Sequence, residues 1–146
     1  KGGLARFYSV RNGLQFVNVP GLVAIHDGVR PFVSIETIKR CFETAEKHGN
    51  AIPSISITES LRMISDKRSH PINRLLVRQI QTPQVFSAEL LKKAYRQDYK
   101  PEFTDDATVL ESIGEKINLV EGNRENIKIT NPEDLLISKA LFSTIS

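Results

Sequence analysis

Cysteine, methionine and tryptophan are nearly absent from this chain: 146 residues contain one Cys, one Met and no Trp. The single cysteine, Cys41, excludes an internal disulfide framework and a metal site built only from thiolates. Long hydrophobic runs are missing too, and none approaches the roughly 18–20 apolar residues that a membrane helix needs. These scarcities predict a protein of the reducing cytoplasm without a membrane partner.

An excess of one charge is also lacking. Twenty Lys and Arg against 17 Asp and Glu give a net charge of +3. The basic residues are dispersed, and the densest stretch, residues 66–70, carries its own acid. Because single-stranded nucleic acid is typically bound by a basic face with aromatic side chains beside it, we expect no nucleic-acid partner. The length and the apolar share of 40% predict one globular domain.

Short apolar strands alternate with amphipathic helices through most of the chain. The pattern predicts strands at residues 22–26, 51–57 and 117–120, with a short strand or bridge at 126–130. The first of these resembles a buried strand of a parallel sheet. Helices are predicted to start after Ser34, Ser87 and Thr104 and at residue 131. This alternation is typical of an α/β fold, and Cys41, on an apolar helix face, is predicted to pack in its core.

Residues 58–81 follow a different pattern. Residues 61–64 and 74–80 read as extended segments separated by a polar turn at 65–71. Such a hairpin has little core of its own and needs a partner to bury it. We therefore predict a projecting β-arm.

The segment from His26 to Pro31 follows the first strand, and ligands of open α/β sheets bind at the carboxyl ends of strands. Asp27 could hold a metal or a sugar hydroxyl there, Gly28 could let a ligand approach the backbone, and Arg30 could bind a phosphate. A turn closed by an Asp27–Arg30 salt bridge explains the same residues. His26 fits a structural, hydrogen-bonded histidine better than a general base.

Isolated polar residues elsewhere leave two readings open. Lys128, in a short apolar stretch before a helix start, either extends into solvent or binds a phosphate. Arg74 and Thr82 flank the returning strand of the arm, and alone they indicate a surface charge and a residue before a proline. Gly3 and Ser9 belong to a Gly-rich turn, read most simply as a loop that enters a helix at Ser9.

Taken in order, the segments GG–R–SV, HDGVRPFV, AIP, ESLR, QTPQVF, FTDDA, LVEGNRENIKIT and PEDL resemble the 2-C-methyl-D-erythritol 4-phosphate cytidylyltransferases of the non-mevalonate isoprenoid pathway. The resemblance covers nearly the whole chain. It implies a Rossmann-like nucleotidyltransferase fold and a homodimer in which the arm, residues 58–81, reaches into the partner's active site. It also implies transfer of a cytidylyl group from CTP to methylerythritol phosphate, release of pyrophosphate, and a requirement for Mg²⁺.

The same resemblance implies roles for single residues. It places at the cytidine nucleotide Gly3, Ser9, Asp27 and Gly28. It places at the methylerythritol phosphate Arg30, Ser60, Arg74, Thr82 and Lys128, with Arg74 and Thr82 on the arm and across the dimer interface. The residues it implies in catalysis are Lys128, Asp27 and Arg74, and Asp27 is also the expected metal ligand.

Nothing in this chain matches the family's first strand and Gly-rich loop, whose Arg and Lys wrap the CTP triphosphate. We therefore expect a single, partial nucleotidyltransferase domain over residues 1–146, truncated at its N-terminus and with little or no turnover alone. Two alternatives remain at this point: a ribitol 5-phosphate cytidylyltransferase, which shares much of the motif set, and a non-catalytic dimerisation fragment. The AIP, ESLR and GNREN segments favour the methylerythritol enzymes.

Overall fold

The elements alternate along the chain, as the α/β prediction requires. The computed structural model describes residues 2–145, with the side chains of residues 2–143. Its helices are α1 Arg6–Leu14, α2 Ile35–His48, α3 Ala88–Ala94, α4 Asp106–Glu111 and α5 Pro132–Ile145. Its strands are β1 Leu22–Ile25, β2 Asn50–Ser56, β3 Leu61–Ser65, β4 Arg68–Ile72, β5 Arg78–Ile80, β6 Gln84–Ser87 and β7 Leu119–Glu121.

Strand β2 is the centre of a five-stranded sheet. One of its edges pairs antiparallel with β6 and then with β5, and the other pairs parallel with β7. Beyond β6 lies β1, which is also antiparallel. The prediction that β1 has a parallel partner is therefore wrong for the described residues. The connection through α2 brings β2 back in the same direction as β1, and β6, which follows the returning arm, lies between these two strands in the opposite direction.

Pro53 lies in this central strand, although a proline suggests an edge strand or a bulge. Strand β2 pairs with β6 through Asn50 and Ala51, and with β5 from Ser54 onward. Pro53 stands at the change of partner, where its carbonyl accepts a hydrogen bond from the Gln81 backbone N–H at 2.8 Å. Pro53 therefore keeps the acceptor half of this rung and gives up only the donor half, at the end of the β5 pairing where the partner strand changes.

Both faces of the sheet are covered, which gives the molecule its layers. One face packs against α1, α3 and α4 around Phe7, Ile52, Phe86 and Leu110. The other face packs against α2 through Cys41, Ala45, Ala51 and Val85.

Helix α2 confirms the local predictions. The Ser34 side chain accepts a hydrogen bond from the Thr37 N–H at 3.1 Å, and Gly49 ends the helix at a φ of 83°, a left-handed conformation that favours glycine. Cys41 is fully buried on the inner face, and burial raises the pKa of its thiol to about 11. This thiol is a core residue, as predicted.

The arm is a hairpin with a different register from the predicted one. A two-residue turn at Asp66 and Lys67, both with positive φ, joins β3 to β4, so most of residues 65–71 is strand and not turn. Residues 74–76 form a 3-10 turn instead of the predicted extended segment, and the chain rejoins the main sheet only at β5. Cross-strand pairing, a non-local contact, sets this register.

Two further boundaries differ from the sequence prediction. The N-cap of α4 is Asp105 and not Thr104, because the Asp105 carboxylate accepts from the Thr108 N–H in a capping box. Residues 126–130 form a loop and not a strand. One backbone hydrogen bond, from Ile129 N–H to Val29 O at 2.9 Å, ties that loop to the segment after β1.

Candidate functional site

Three cationic side chains converge on the carboxylate of Asp27, just beyond the end of β1. Lys128 Nζ lies 3.3 Å from Oδ2, Arg30 Nε 3.4 Å from the same oxygen, and Arg6 Nε 3.6 Å from Oδ1. The cations come from three places in the chain: helix α1, the loop after β1 and the loop before α5. The structure therefore brings together Asp27, Arg30 and Lys128, three of the predicted site residues.

The charge state of Asp27 follows from these neighbours. Partial burial raises the pKa of the carboxyl, but the attraction of Lys128, Arg6 and Arg30 outweighs that effect, so the pKa lies below the ordinary value for Asp. Asp27 is thus a fixed anion near neutral pH. Lys128 remains about half exposed, at 47%, so its ammonium can still meet a ligand.

Asp27 lies in the wall of a polar cavity of about 280 Å³. Three predicted residues besides Asp27 line it: Arg30, Thr82 and Lys128. The sequence predicted no binding role for other lining residues, among them Arg6, Gln84, Thr104 and Asp105. All four fall in the quoted segments GG–R–SV, QTPQ and FTDDA, so the signal that could have found them is their place in those motifs.

The Thr82 hydroxyl holds the Asp27 loop in place. It accepts a hydrogen bond from the Asp27 backbone N–H and donates one to His26 Nδ1, both at 3.0 Å, while His26 Nε2 donates to the Arg30 carbonyl at 2.9 Å. His26 is therefore the hydrogen-bonded structural histidine that the sequence suggested. The placement of Thr82 on the arm is wrong, since Thr82 is 5% exposed and lies in the cavity of its own chain.

Arg30 is held on two sides. Its Nη1 donates to the Asn126 backbone carbonyl at 2.8 Å, and its Nε faces Asp27. With 8% of its surface exposed, Arg30 is pre-positioned and has little freedom to lose when a ligand binds. The salt bridge with Asp27 that the sequence allowed is present, and it belongs to the cavity wall.

A buried pair lies behind Arg6. Its guanidinium bonds the Asp106 carboxylate, which is fully buried and also accepts from the Tyr95 hydroxyl. Burial and the Asp106 charge raise the pKa of Tyr95 far above its ordinary value, so the phenol stays neutral and donates. Arg6 is therefore shared between a buried carboxylate and the cavity carboxylate of Asp27.

Gly3 and Ser9 are brought together before and within α1, which begins at Arg6 and not at Ser9. The Gly3 N–H donates to Ser9 Oγ at 2.9 Å, and a Cβ on Gly3 would lie 2.3 Å from Tyr8 Cβ. Only glycine fits that approach. At Gly28, by contrast, a Cβ would meet no described heavy atom within 4 Å, so packing does not require glycine there.

The two predicted arm residues lie apart from this cavity. Ser60 is exposed just before β3, and Arg74 is exposed in the 3-10 turn, where it donates to the Thr58 carbonyl. A single chain therefore does not bring Ser60 or Arg74 to Asp27.

The residues present do not fit a resident Mg²⁺. Mg²⁺ needs an octahedral shell of oxygens, but both oxygens of Asp27 already face cations. Within the described range, no group of three or more His, Cys, Asp or Glu side chains could hold an ion. The described residues therefore do not form a magnesium site on their own.

A larger groove of about 990 Å³ lies between residues 31–36 and α5. Its lining is mostly apolar, with Phe32, Leu135 and Phe142 among the contributors. The smaller cavity is the better candidate for anion chemistry because it contains the convergent charges. None of the helices in the described range is long and apolar enough to cross a membrane.

Comparison with known proteins gives one family. The profile described as "IspD: 2-C-methyl-D-erythritol 4-phosphate cytidylyltransferase" matches residues 1–144. The protein of that name from Bacteroides thetaiotaomicron is 55% identical over 141 residues, which are 97% of this chain and 64% of the relative. The chain thus spans a little under two thirds of that relative's length.

Solved structures give the same result for the fold. The 2-C-methyl-D-erythritol 4-phosphate cytidylyltransferase of Thermus thermophilus superposes with a TM-score of 0.86 at 32% identity, covering 98% of this chain and 72% of the other. The 4-diphosphocytidyl-2C-methyl-D-erythritol synthase of Anaerococcus prevotii gives 0.88 at 32% identity, covering 97% and 66%. By sequence, by fold and by the motifs that build the Asp27 cavity, this chain belongs to the 2-C-methyl-D-erythritol 4-phosphate cytidylyltransferase family.

Proposed function

We propose that the protein of which this chain forms the described part transfers a cytidylyl group from CTP to 2-C-methyl-D-erythritol 4-phosphate, in isoprenoid precursor biosynthesis. The convergence of Lys128, Arg30 and Arg6 on the carboxylate of Asp27 carries the proposal. Family membership supplies the substrates. A cavity of about 280 Å³ suits a small sugar phosphate, and a whole nucleoside triphosphate would extend beyond it.

The reaction needs no protein nucleophile. A phosphate oxygen of methylerythritol phosphate attacks the α-phosphorus of CTP, the bond from that phosphorus to the bridging oxygen breaks, and pyrophosphate leaves with the electron pair. Several anions must approach one another, so positioning and cations supply most of the catalysis. The fixed cations of the cavity are groups of this kind.

The cations differ in what they offer a phosphate. Arg30 is buried and already bonded to Asp27 and Asn126, so it presents a rigid guanidinium at the wall. Lys128 is half exposed and ends in a point charge that can follow a moving phosphate. We assign Arg30 to orienting the substrate phosphate and Lys128 to stabilising charge at the reacting phosphates. Thr82 keeps the Asp27 loop in register.

The nucleotide contacts are part of the same proposal. Gly3 and Ser9 lie next to Arg6 and are assigned to the cytidine end, with Gly28 and Asp27 at the ribose. Mg²⁺, for which the chain alone forms no cage, would be carried by triphosphate oxygens.

The arm completes the proposed site from a second subunit. Arg74 and Ser60 are exposed on an arm that buries little of its own surface, and a hairpin of this kind is marginal without a partner. We propose a homodimer in which Arg74 of each arm reaches the partner's substrate phosphate, and a cytoplasmic location for the enzyme.

Pyrophosphate release measured with CTP and Mg²⁺ tests the proposal. The chain and the complete reading frame that encodes it are assayed with methylerythritol 4-phosphate and, side by side, with ribitol 5-phosphate. We expect the reading frame to prefer the first substrate, Lys128→Met to abolish release, and Lys116→Met, at an exposed lysine outside the cavity, to retain it. If the complete reading frame releases no pyrophosphate with either substrate, or if it prefers ribitol 5-phosphate, the assignment is overturned.

A further inference from the structure

Asn126 is a fully buried polar residue in the loop between β7 and α5. Its side-chain Nδ2 donates to the Thr82 carbonyl at 2.8 Å. Its own backbone carbonyl accepts from Arg30 Nη1 at 2.8 Å and from Gln81 Nε2 at 3.4 Å. One residue thus binds three members of the cavity lining.

The loop that Asn126 anchors carries Lys128 two residues later. Past Lys128, the Ile129 N–H donates to the Val29 carbonyl at 2.9 Å. The lysine is therefore held between two attachments, one to Thr82 and one to the segment after β1. Ordering a lysine side chain costs conformational entropy, and a backbone that is fixed on both sides limits how much more must be ordered when a ligand binds.

Stability alone does not explain this residue. Among the described residues, Asn126 Oδ1 has no hydrogen-bond donor, although it is buried. A buried acceptor without a partner costs free energy, and local compromises of this kind concentrate at functional sites. The amide contributes instead through its Nδ2 contact with Thr82.

We propose that Asn126 is a positioning residue, whose buried amide fixes the Lys128 loop against Thr82 and Arg30 and so holds the Lys128 ammonium at the Asp27 cavity. It acts through Lys128 and does not touch the ligand. This inference rests on the proposed function for the meaning of the cavity, but part of its test needs no turnover and no nucleotide.

Asn50 provides the matched control. It is 2% exposed, its Nδ2 donates to the Lys116 carbonyl at 2.9 Å, and its Oδ1 accepts from the Asn118 N–H at 2.8 Å. It therefore holds a loop by the same chemistry, with partners outside the cavity lining. Asn50→Ala should cost stability without affecting Lys128.

The experiment compares the wild-type chain with Asn126→Ala, Asn50→Ala, Lys128→Met and the double variant Asn126→Ala/Lys128→Met. Amide hydrogen exchange reports the Ile129 N–H, and calorimetry reports the affinity for inorganic pyrophosphate. We expect Asn126→Ala to lower Ile129 protection at least tenfold and to weaken pyrophosphate binding about tenfold or more. In the Lys128→Met background Asn126→Ala should weaken binding no further, and Asn50→Ala should change neither quantity.

Two results would overturn the inference: unchanged protection of Ile129 in Asn126→Ala, or a loss of affinity that adds in full to that of Lys128→Met. If Asn126→Ala fails to fold, Asn126→Leu, which keeps much of the side-chain volume but has no donor, is measured in its place against the same expectations. If the wild-type chain does not bind pyrophosphate, Ile129 exchange alone decides the role of Asn126, and pyrophosphate release by the complete reading frame separately decides the proposed function.

Discussion

Residues 59–73 of the arm are exposed except at Leu61 and Ile72, where exposure is intermediate, whereas the cavity residues are bonded within their own chain. Thr82, Arg30 and Asn126 each make two or more hydrogen bonds there. The arm instead shows apolar side chains to solvent, with Leu75 and Leu76 84% and 83% exposed. The cavity is pre-organised by the chain itself, whereas we expect the arm to be covered only in the proposed dimer.

The largest effect is expected in dimers that combine two different variant subunits, because they test whether the arm and the cavity of one site come from different chains. Lys128→Met and Arg74→Met are each expected to lose about 10²–10³ in turnover of the complete protein, since each removes a cation from the reacting phosphates. Mixing the two should restore roughly a quarter of wild-type activity, because about half of the dimers are then mixed and each has one intact site. The restored activity is measured as pyrophosphate release after the two variants are mixed.

Arg68→Met, at an exposed arginine of the same hairpin, is the control for Arg74 and should remain active. Mixing that restores nothing would contradict the idea that the arm serves the partner's site.

Asp106→Ala tests the buried side of the comparison. It leaves the Arg6 guanidinium and the Tyr95 hydroxyl without their shared acceptor. Breaking a buried ion pair costs about 3–5 kcal/mol, and since Arg6 is one-third exposed, at 34%, we expect a loss near the lower end, about 3 kcal/mol. Urea unfolding measures it. Asp98→Ala, at an exposed carboxylate, should stay within about 0.5 kcal/mol of wild type, and an equal loss there would remove the buried network as the explanation.

The pH dependence of stability sharpens the role of Asp27. Its pKa is lowered in the folded chain, so its ionised form stabilises the fold above the pKa of the unfolded chain, about 3.9. Near neutral pH, the free energy of unfolding of wild type should exceed that of Asp27→Asn by about 1 kcal/mol. The value is modest because Lys128 is half exposed. The difference should shrink as the pH falls through the folded pKa. Unfolding curves from about pH 7 to about pH 2.5 test this, and a difference that grows on acidification would refute it.

The smallest effect on stability is expected in the arm. Leu76→Gln should change the free energy of unfolding of the single chain by less than about 0.5 kcal/mol, since the side chain is already exposed. Self-association of the chain should weaken, which sedimentation at several concentrations detects. The reverse pattern, a less stable chain with unchanged association, would mean that Leu76 packs within its own subunit.

The sequence predicted those parts of the fold that depend on neighbours along the chain. Ser34 and Gly49 mark the ends of α2 by local chemistry, and the alternation of strands and helices indicated the α/β class. The register of β4 could not be read, because the polar residues 68–70 look like a turn until they pair with β3. The cap of α4 was predicted one residue too early because the side chains of Thr104 and Asp105 can both cap a helix. In the structure only Asp105 accepts from the Thr108 N–H.

The site residues likewise fall into those that local sequence predicts and those that depend on distant contacts. Asp27 and Arg30 could be predicted as site residues from the sequence because both follow the end of a strand within one short segment. Arg6 and Asp106 are separated by 100 positions, and no periodicity relates them. Thr82 was misplaced because proximity in sequence to the arm suggested proximity in space, whereas β5 returns the chain to the sheet just before it.

The arm leaves and re-enters the sheet at one rung, the pair Ser56 and Arg78. Its two ends are therefore held side by side by paired strands of the main sheet, and the closure entropy of the intervening loop changes only slowly with length. Insertions and deletions in residues 57–77 should be nearly neutral for the sheet. The length of this segment can therefore change the match between subunits without disturbing the sheet or the cavity behind it, provided that Ser60 and Arg74 keep their reach.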